Sequence, residues 1–122
     1  MIESTAIDRV WMALKRNVAL QPDRAALIYQ GRAVTFADLD RDSDRLACGL
    51  LELGFGKGDR LGMLGLNQPE WLLAYLAAAK IGAILVALSV RYRDSEIEYI
   101  INHAKVRVII APAMAGDMDY VV

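Results

Sequence analysis

Three glycines and a lysine crowd into Gly54-Phe55-Gly56-Lys57-Gly58-Asp59, the residue types of a loop that cradles phosphate. Such a loop follows a strand and opens a helix, so that unpaired helix N–H groups point at the anion. Here the hydrophobic pattern runs the other way. The glycines close a helix and lead into a strand, which makes the segment a helix cap and tight turn rather than a nucleotide site. Asp38, Asp40, Asp42 and Asp44 alternate as in a calcium loop. That loop needs glycine at its sixth position and a bidentate glutamate at its twelfth, where this sequence has Ser43 and Gly49. On a helix the same acids spread around the cylinder and pair with Arg41 and Arg45 at three- or four-residue spacing. The motif reads as a solvated helix face.

The remaining reactive side chains are few. His103, the single histidine, falls near the end of an expected helix, where a partly positive imidazole suits the dipole. General-base work would need a nucleophile or an orienting carboxylate beside it, so capping is its default role. Cys48 lies among Arg41, Asp44, Arg45 and Glu52, somewhat off the apolar stripe. Nearby arginines lower a thiol's pKa, but a small space-filling residue is the ordinary explanation. Trp11 and Trp71 sit at helical core spacing and read as packing. More informative are the ends of the expected parallel strands, because open α/β sheets bind ligands beyond their carboxyl ends. Those ends carry Leu66-Asn67-Gln68 and Ser89-Val90-Arg91-Tyr92-Arg93. Asn67 and Arg91 are the binding candidates. Helix capping alone also accounts for Asn67, and a salt bridge elsewhere in the protein would account for Arg91 and Arg93. No catalytic residue and no metal ligand is nominated.

The elements that would position these residues follow from hydrophobic period. Ile7, Val10, Trp11, Leu14 and Val18 recur at helical spacing between about Thr5 and Leu20, with Arg9, Lys15 and Arg16 largely opposite; Pro22 ends that helix. Ala25–Tyr29 and Ala33–Thr35 flank Gln30-Gly31-Arg32 and predict a β-hairpin. Thr35 and Asp38 form the pattern of a capping box, opening a helix to Leu53 whose inward stripe is Phe36, Leu39, Ser43, Leu46, Leu50 and Leu53, with Ala47 beside it. Gly54 supplies the left-handed cap. Arg60–Gly65 is a short strand. Asn67 is expected to cap a helix over Glu70–Ile81, apolar nearly all round and therefore deeply covered, with Pro69 and Glu70 in its first turn. Ala83–Leu88 is the next strand. Asp94 or Ser95 would cap a helix with Ile97, Ile100 and Ile101 inward, and Val106–Ala111 is the last strand. From Arg60 the order is β-α-β-α-β, with connections long enough for parallel pairing. The fold class is α/β: a parallel βαβαβ layer with an N-terminal helix and a small hairpin.

Composition narrows the function. The chain has 122 residues, 56% of them hydrophobic, and a formal net charge of −1. That allows one sizeable core and excludes disorder. It offers no basic face for nucleic acid. One cysteine forbids an internal disulfide framework and a cysteine-based zinc site, and it suits a reducing, cytoplasmic setting. The N-terminus has an early acid and no basic-then-apolar layout, unlike a secretory signal. Trp71–Val90 is almost wholly apolar and long enough to span a membrane. Yet Lys80 and Gly82 interrupt it and its second half is rich in β-formers, so a buried helix followed by a buried strand is the better reading. Three parallel strands bury both faces poorly and leave their edges open, which suits a piece of a larger structure.

The order of short blocks resembles the start of AMP-forming acyl-CoA synthetases. It runs from Pro22-Asp23-Arg24-Ala25-Ala26-Leu27-Ile28 through Val34-Thr35-Phe36-Ala37-Asp38-Leu39 and Arg45-Leu46-Ala47-Cys48-Gly49-Leu50 to Leu53-Gly54-Phe55-Gly56-Lys57-Gly58-Asp59-Arg60. Asn67-Gln68-Pro69-Glu70-Trp71, Ala79-Lys80-Ile81-Gly82-Ala83, Arg91-Tyr92 and Glu96-Ile97-Glu98-Tyr99-Ile100 complete it. Each block is weak alone; their shared order across about residues 22–110 makes the combination fairly specific. One departure is Ser89-Val90, where the family often has Asn-Pro.

The resemblance implies an enzyme that joins ATP and a carboxylic acid, such as a fatty acid, into an acyl adenylate, and then transfers the acyl group to coenzyme A. Magnesium and cationic groups would offset phosphate charge. The family's phosphate loop, Tyr-Gly-x-Thr-Glu motif, hinge and C-terminal lysine are absent from these residues, so none of its catalytic residues carries over. The expectation is an N-terminal subdomain fragment over 1–122, divided as helix and hairpin about 5–35, helix 36–53 and βαβαβ about 60–111. It would bind no cofactor and be inactive by itself, pack against the rest of its parent, and self-associate when isolated. Alternatives are an aryl-acid or carrier-protein-loading ligase, a non-catalytic binding or oligomerisation module, and a small membrane protein.

Overall fold

The chain's architecture was taken from a computed structural model, which describes residues 9–65 and 67–112 and the backbone of 114–115 and 118–119. The first helix, α1, spans Val10–Leu20; the earlier start expected at Thr5, with Ile7, lies outside the described residues. Its last turn closes where the Gln21 N–H donates to the Asn17 carbonyl at 2.8 Å, just before Pro22. Strands β1 (Ala25–Tyr29) and β2 (Arg32–Thr35) pair antiparallel, with Tyr29 opposite Arg32. Gln30 and Gly31 form the two-residue turn between them, both at positive φ (49° and 75°), as the right-handed twist of a tight hairpin requires. Arg32, expected in the turn, is already in the strand.

Helix α2 covers Phe36–Glu52. Its capping box is complete: the Asp38 N–H donates to Thr35 Oγ1 and the Thr35 N–H donates to Asp38 Oδ2, each at 3.0 Å. Leu39, Ser43, Ala47 and Leu50 are buried on the expected stripe. Leu53 is not: it is 67% exposed, because it is the capping residue from which the chain turns away. Gly54 at φ 79° donates to the Leu51 carbonyl, and the Phe55 N–H donates to that of Leu50. This is the left-handed Schellman closure. It swings Phe55, rather than Leu53, into the core at 2% exposure.

Strands β3 (Arg60–Leu64), β4 (Ile84–Leu88) and β5 (Val106–Ile110) form a parallel sheet in the order β4-β3-β5. Helix α3 (Pro69–Ile81) connects β3 to β4, and α4 (Asp94–Ala104) connects β4 to β5. The apolar run that resembled a membrane span is therefore a helix and a strand broken at Gly82 (φ 75°), and no helix among the described residues is long and apolar enough to cross a membrane. Ala47, Leu50 and Phe55 pack with Leu61, Met63, Ala74, Ala77 and Ala78 between α2, α3 and the sheet. A second cluster, Leu14, Leu39 and Leu76, receives Ala26, Leu27 and Val34 of the hairpin and ties α1 to the same helices.

Two expected caps shift by one residue. Gln68, not Asn67, is the N-cap of α3, with extended backbone and no side-chain bond. Proline at the first helical position has no N–H to satisfy and fixes φ, so the helix starts at Pro69. Arg93, not Asp94 or Ser95, is the N-cap of α4. Its backbone N–H donates to Glu96 Oε2 at 2.8 Å, so the glutamate three residues on supplies the cap. Ile97, Ile100 and Ile101 are only half-covered, and α4 has no buried residue. A last pair, β6 (Met114–Ala115) and β7 (Met118–Asp119), is antiparallel. It was not anticipated, since two-residue strands carry no period.

Candidate functional site at the carboxyl edge of the sheet

Leu64 of β3 lies level with Leu88 of β4, so the two strands release their chains side by side at one edge. From β3 the chain passes through Gly65 to Asn67, which is exposed. From β4 it enters a tight turn held by Ser89: the Tyr92 N–H donates to the Ser89 carbonyl and the Arg91 N–H to Ser89 Oγ, both at 3.1 Å. Val90 to Ser95 line an open concavity of about 580 Å3 that includes Arg91, Tyr92 and Arg93. Among the described residues neither arginine has a carboxylate within ion-pair distance. Adjacent parallel strands that end level place Asn67 and Arg91 at the same edge of the sheet. What this edge offers is exposed cationic and amide groups beyond the strand ends, the chemistry of anion or carboxylate recognition.

The glycine-rich loop sits at the opposite, amino edge. Gly56 donates its N–H to Asp59 Oδ2 at 2.7 Å, Gly58 donates to the Gly82 carbonyl at 2.9 Å, and Ile84 donates to the Asp59 carbonyl at 2.8 Å. Arg107 Nη1 reaches Asp59 Oδ2 at 2.7 Å, and its guanidinium lies 5.5 Å from the centre of the Phe55 ring. The Gly56 amide first, and then Arg107, hold the Asp59 carboxyl below its usual range. Both glycine N–H groups are thus used within the protein, which is why this loop is a turn and not a phosphate cradle.

The alternating acids have a function that the sequence reading missed. Lys80, from the middle of the apolar run, inserts its ammonium between α2 and α3 with a side chain only 9% exposed. It donates to Asp40 Oδ1 (2.8 Å), Asp44 Oδ1 (2.7 Å), Ser43 Oγ (2.7 Å) and the Asp40 carbonyl (3.1 Å). Lys15 of α1 holds the other Asp40 oxygen at 2.9 Å. Burial raises the Asp40 pKa, but the hydrogen bonds and charges of Lys80 and Lys15 outweigh it and hold the carboxyl below the usual range. Two signals could have located this network: a lone lysine in an apolar run and a serine on an apolar stripe.

The other candidates stay apart. His103 is exposed in the last turn of α4 and stacks on Tyr99 (5.4 Å, 9°). Cys48 is exposed, so it fills no core space. Trp71 packs against the main core and stacks on Tyr75 at 6.1 Å.

An α/β layer with a carboxyl-edge site is shared by many ligand-binding proteins, and similarity to known proteins narrows the class. The AMP-binding enzyme family model matches residues 14–120. The medium-chain acyl-CoA ligase ACSF2, mitochondrial, of Danio rerio is 35% identical over 121 residues, which are 98% of this chain and 20% of that protein. The N-terminal subdomain of Klebsiella oxytoca NpsA superposes with a TM-score of 0.81 at 27% identity, covering 88% of this chain and 28% of that one. The anthranilate CoA ligase AuaEII in complex with anthranoyl-AMP superposes with a TM-score of 0.81 at 28% identity, covering 84% of this chain and 20% of that one. The chain belongs to the AMP-binding enzyme family.

Proposed function

We propose that this chain is the N-terminal subdomain portion of a fatty acyl-CoA ligase, and that it does not catalyse the reaction by itself. The observation that carries the reading is the family match across nearly the whole chain, set beside a curated acyl-CoA ligase of which the chain spans one fifth. In the parent, a carboxylic acid and ATP give an acyl adenylate and pyrophosphate, and coenzyme A then displaces AMP to form the thioester. Magnesium, when bound, supplies charge neutralisation at the phosphates. The described residues do not fit it. Asp40 and Asp44 are engaged by lysines, and no described cluster of three or more His, Cys, Asp or Glu could hold a metal. Metal and triphosphate therefore fall to the remainder of the parent, and this chain's part is positional. Its sheet presents Asn67 and Arg91 at the carboxyl edge, where a substrate carboxylate or phosphate would meet them, and its helices brace that sheet.

An aryl-acid ligase is the second reading, favoured by the superposition on an anthranilate CoA ligase. A non-catalytic module built from the same layer is the third. The working address is the cytoplasm; the word mitochondrial in the name of the zebrafish relative makes that organelle the competitor, which cell fractionation decides. The test is the intact mass of the protein made by its native cell, followed by acid-dependent pyrophosphate exchange with fatty and aryl acids. A mass several times that of this chain, with exchange on fatty acids, is the expected result. Exchange on aryl acids alone would move the substrate class. A mass matching 122 residues, or exchange catalysed by this chain unaided, would overturn the reading.

A further inference from the structure

Ser89 leaves β4 as the first residue of a β-turn. Its carbonyl accepts the Tyr92 N–H and its Oγ accepts the Arg91 N–H, both at 3.1 Å, so one residue fixes two successive amides. Leu88 before it is buried and level with Leu64 of β3, which anchors the near end of the turn to the sheet. The far end is fixed at Arg93. Its N–H donates to Glu96 Oε2 at 2.8 Å, and its carbonyl accepts from the Glu96 and Ile97 N–H groups at 3.0 Å each. Between these anchors Arg91 is the third residue of the turn, and it is exposed. Holding its N–H restricts the direction in which its side chain leaves the backbone. Val90 to Ser95 line the concavity at this edge, and Ser89 is not among them.

We infer that Ser89 is the positioning residue of the carboxyl edge: through its Oγ it holds Arg91 over the concavity, where the guanidinium meets a carboxylate or phosphate of the substrate. The inference rests on the proposed function for what Arg91 binds, and on the two hydrogen bonds for how Arg91 is held. The sequence shows why the task falls to a side chain. Aspartate, asparagine and serine are favoured at the first position of the commonest β-turn, and proline at the second, where its ring presets φ. An Asn-Pro pair supplies both, since an asparagine oxygen also accepts the N–H two residues on. This chain has Ser89-Val90 instead. Valine has no ring to preset φ, so the hydroxyl bond is what remains of that pair's chemistry. Alanine at position 89 would keep the carbonyl of the turn and lose the side-chain acceptor. Asparagine would lose the hydroxyl and restore an acceptor. Neither change alters the charge of the edge.

The test is acid-dependent pyrophosphate exchange by the whole protein that carries this chain, in Ser89→Ala, Ser89→Asn, Arg91→Ala and the Ser89→Ala/Arg91→Ala double variant. Ser89→Ala should raise one KM about fivefold with kcat little changed, the effect of losing about one net hydrogen bond. A rise in the KM of the acid makes its carboxylate the anion held, and a rise in the KM of ATP makes it a phosphate. Ser89→Asn should restore the wild-type KM. The double variant should be no worse than Arg91→Ala, because a residue that acts through another adds nothing once that other is gone. Hydrogen exchange of a peptide covering residues 90–93 supplies a readout that needs no turnover: Ser89→Ala should lose protection there and Ser89→Asn should keep it. Unchanged protection in Ser89→Ala, a Ser89→Asn as impaired as Ser89→Ala, additive losses in the double variant, or wild-type KM values in Arg91→Ala would each overturn the proposal. Absence of pyrophosphate exchange by the whole wild-type protein would overturn the ligase reading instead, and the hydrogen-exchange comparison would then decide whether Ser89 holds the turn.

Discussion

Lys80 is where a single residue says most about this molecule. In sequence it was an interruption in an apolar run, and it argued only against a membrane span. In the structure it is a nearly buried cation with four oxygen partners drawn from Asp40, Ser43 and Asp44. Removing it strands Asp40, whose side chain is itself only 16% exposed, with Lys15 as its remaining cation. Breaking a buried pair from one side is costly because the other charge stays behind. Lys80→Met should therefore lower stability by about 2 kcal/mol in urea unfolding, whereas Asp44→Asn, at a half-exposed partner, should cost less than about 1 kcal/mol. The pH dependence has a fixed sign. Asp40 is held below its ordinary value of 3.8, so its contribution is full above that pH and is lost as pH falls through the lower folded value. Lys15 is held above 10.5, chiefly by its hydrogen bond to Asp40, so its contribution is full below that pH and disappears as pH rises through the higher folded value. Denaturation midpoints measured from pH 2 to 6 should show an acid loss that is smaller in Lys80→Met. An equal loss in both proteins would mean that the network does not govern acid stability.

At the scale of elements, substitution of glycine by alanine separates two uses of that residue. Gly54 sits at φ 79° with open space around the position a Cβ would take, so Gly54→Ala carries only a conformational penalty, about 1 kcal/mol. Gly62 lies in the centre of β3, where a Cβ would stand 3.0 Å from Val106 Cγ1 and 3.2 Å from Ile109 Cγ1. Gly62→Ala must push β5 side chains aside and should cost about 2 kcal/mol. Thermal melts of the two variants check the order, and equal losses would refute the steric reading of Gly62. These elements also show what a sequence can disclose. Period and punctuation located each long element, because a capping box at Thr35 and Asp38, a short glycine-bearing turn after Tyr29 and a glycine after Leu53 act within a few residues. The one-residue errors at Asn67 and Asp94 arose where two local signals compete, a capping side chain against a following proline or glutamate. Burial of Phe55 in place of Leu53 was hidden because the helical period no longer applies once the chain turns at the cap. The candidate edge was legible in the same limited way: strand order placed Asn67 and Arg91 beyond the strand ends, but the pairing of Lys80 with Asp40 joins residues forty positions apart and has no local signature.

For the whole molecule, the decisive property is the inequality of the sheet's two faces. One is covered by α2 and α3, with α1 and the hairpin packed beyond them, and Ala74, Ala77 and Ala78 of α3 are 0–1% exposed. The isoleucines of α4 join neither core cluster. Because the chain moves from β3 to β4 and then back across β3 to β5, right-handed crossovers set α3 and α4 on opposite faces. Among the described residues the second face thus has a single helix with no buried residue, flanked by Ile84 and by Ile109 at 39% exposure. Local opening costs little where few apolar contacts are lost. Native-state hydrogen exchange should therefore find the amides of Ile97–Ala104 at least about tenfold less protected than those of Leu73–Ile81, with α3 exchanging only through global unfolding. Within a longer parent that lays further chain over this face, the protection of α4 should rise toward that of α3. An α4 as protected as α3 in the isolated chain would mean that the few apolar contacts of this face suffice to hold α4 without further cover.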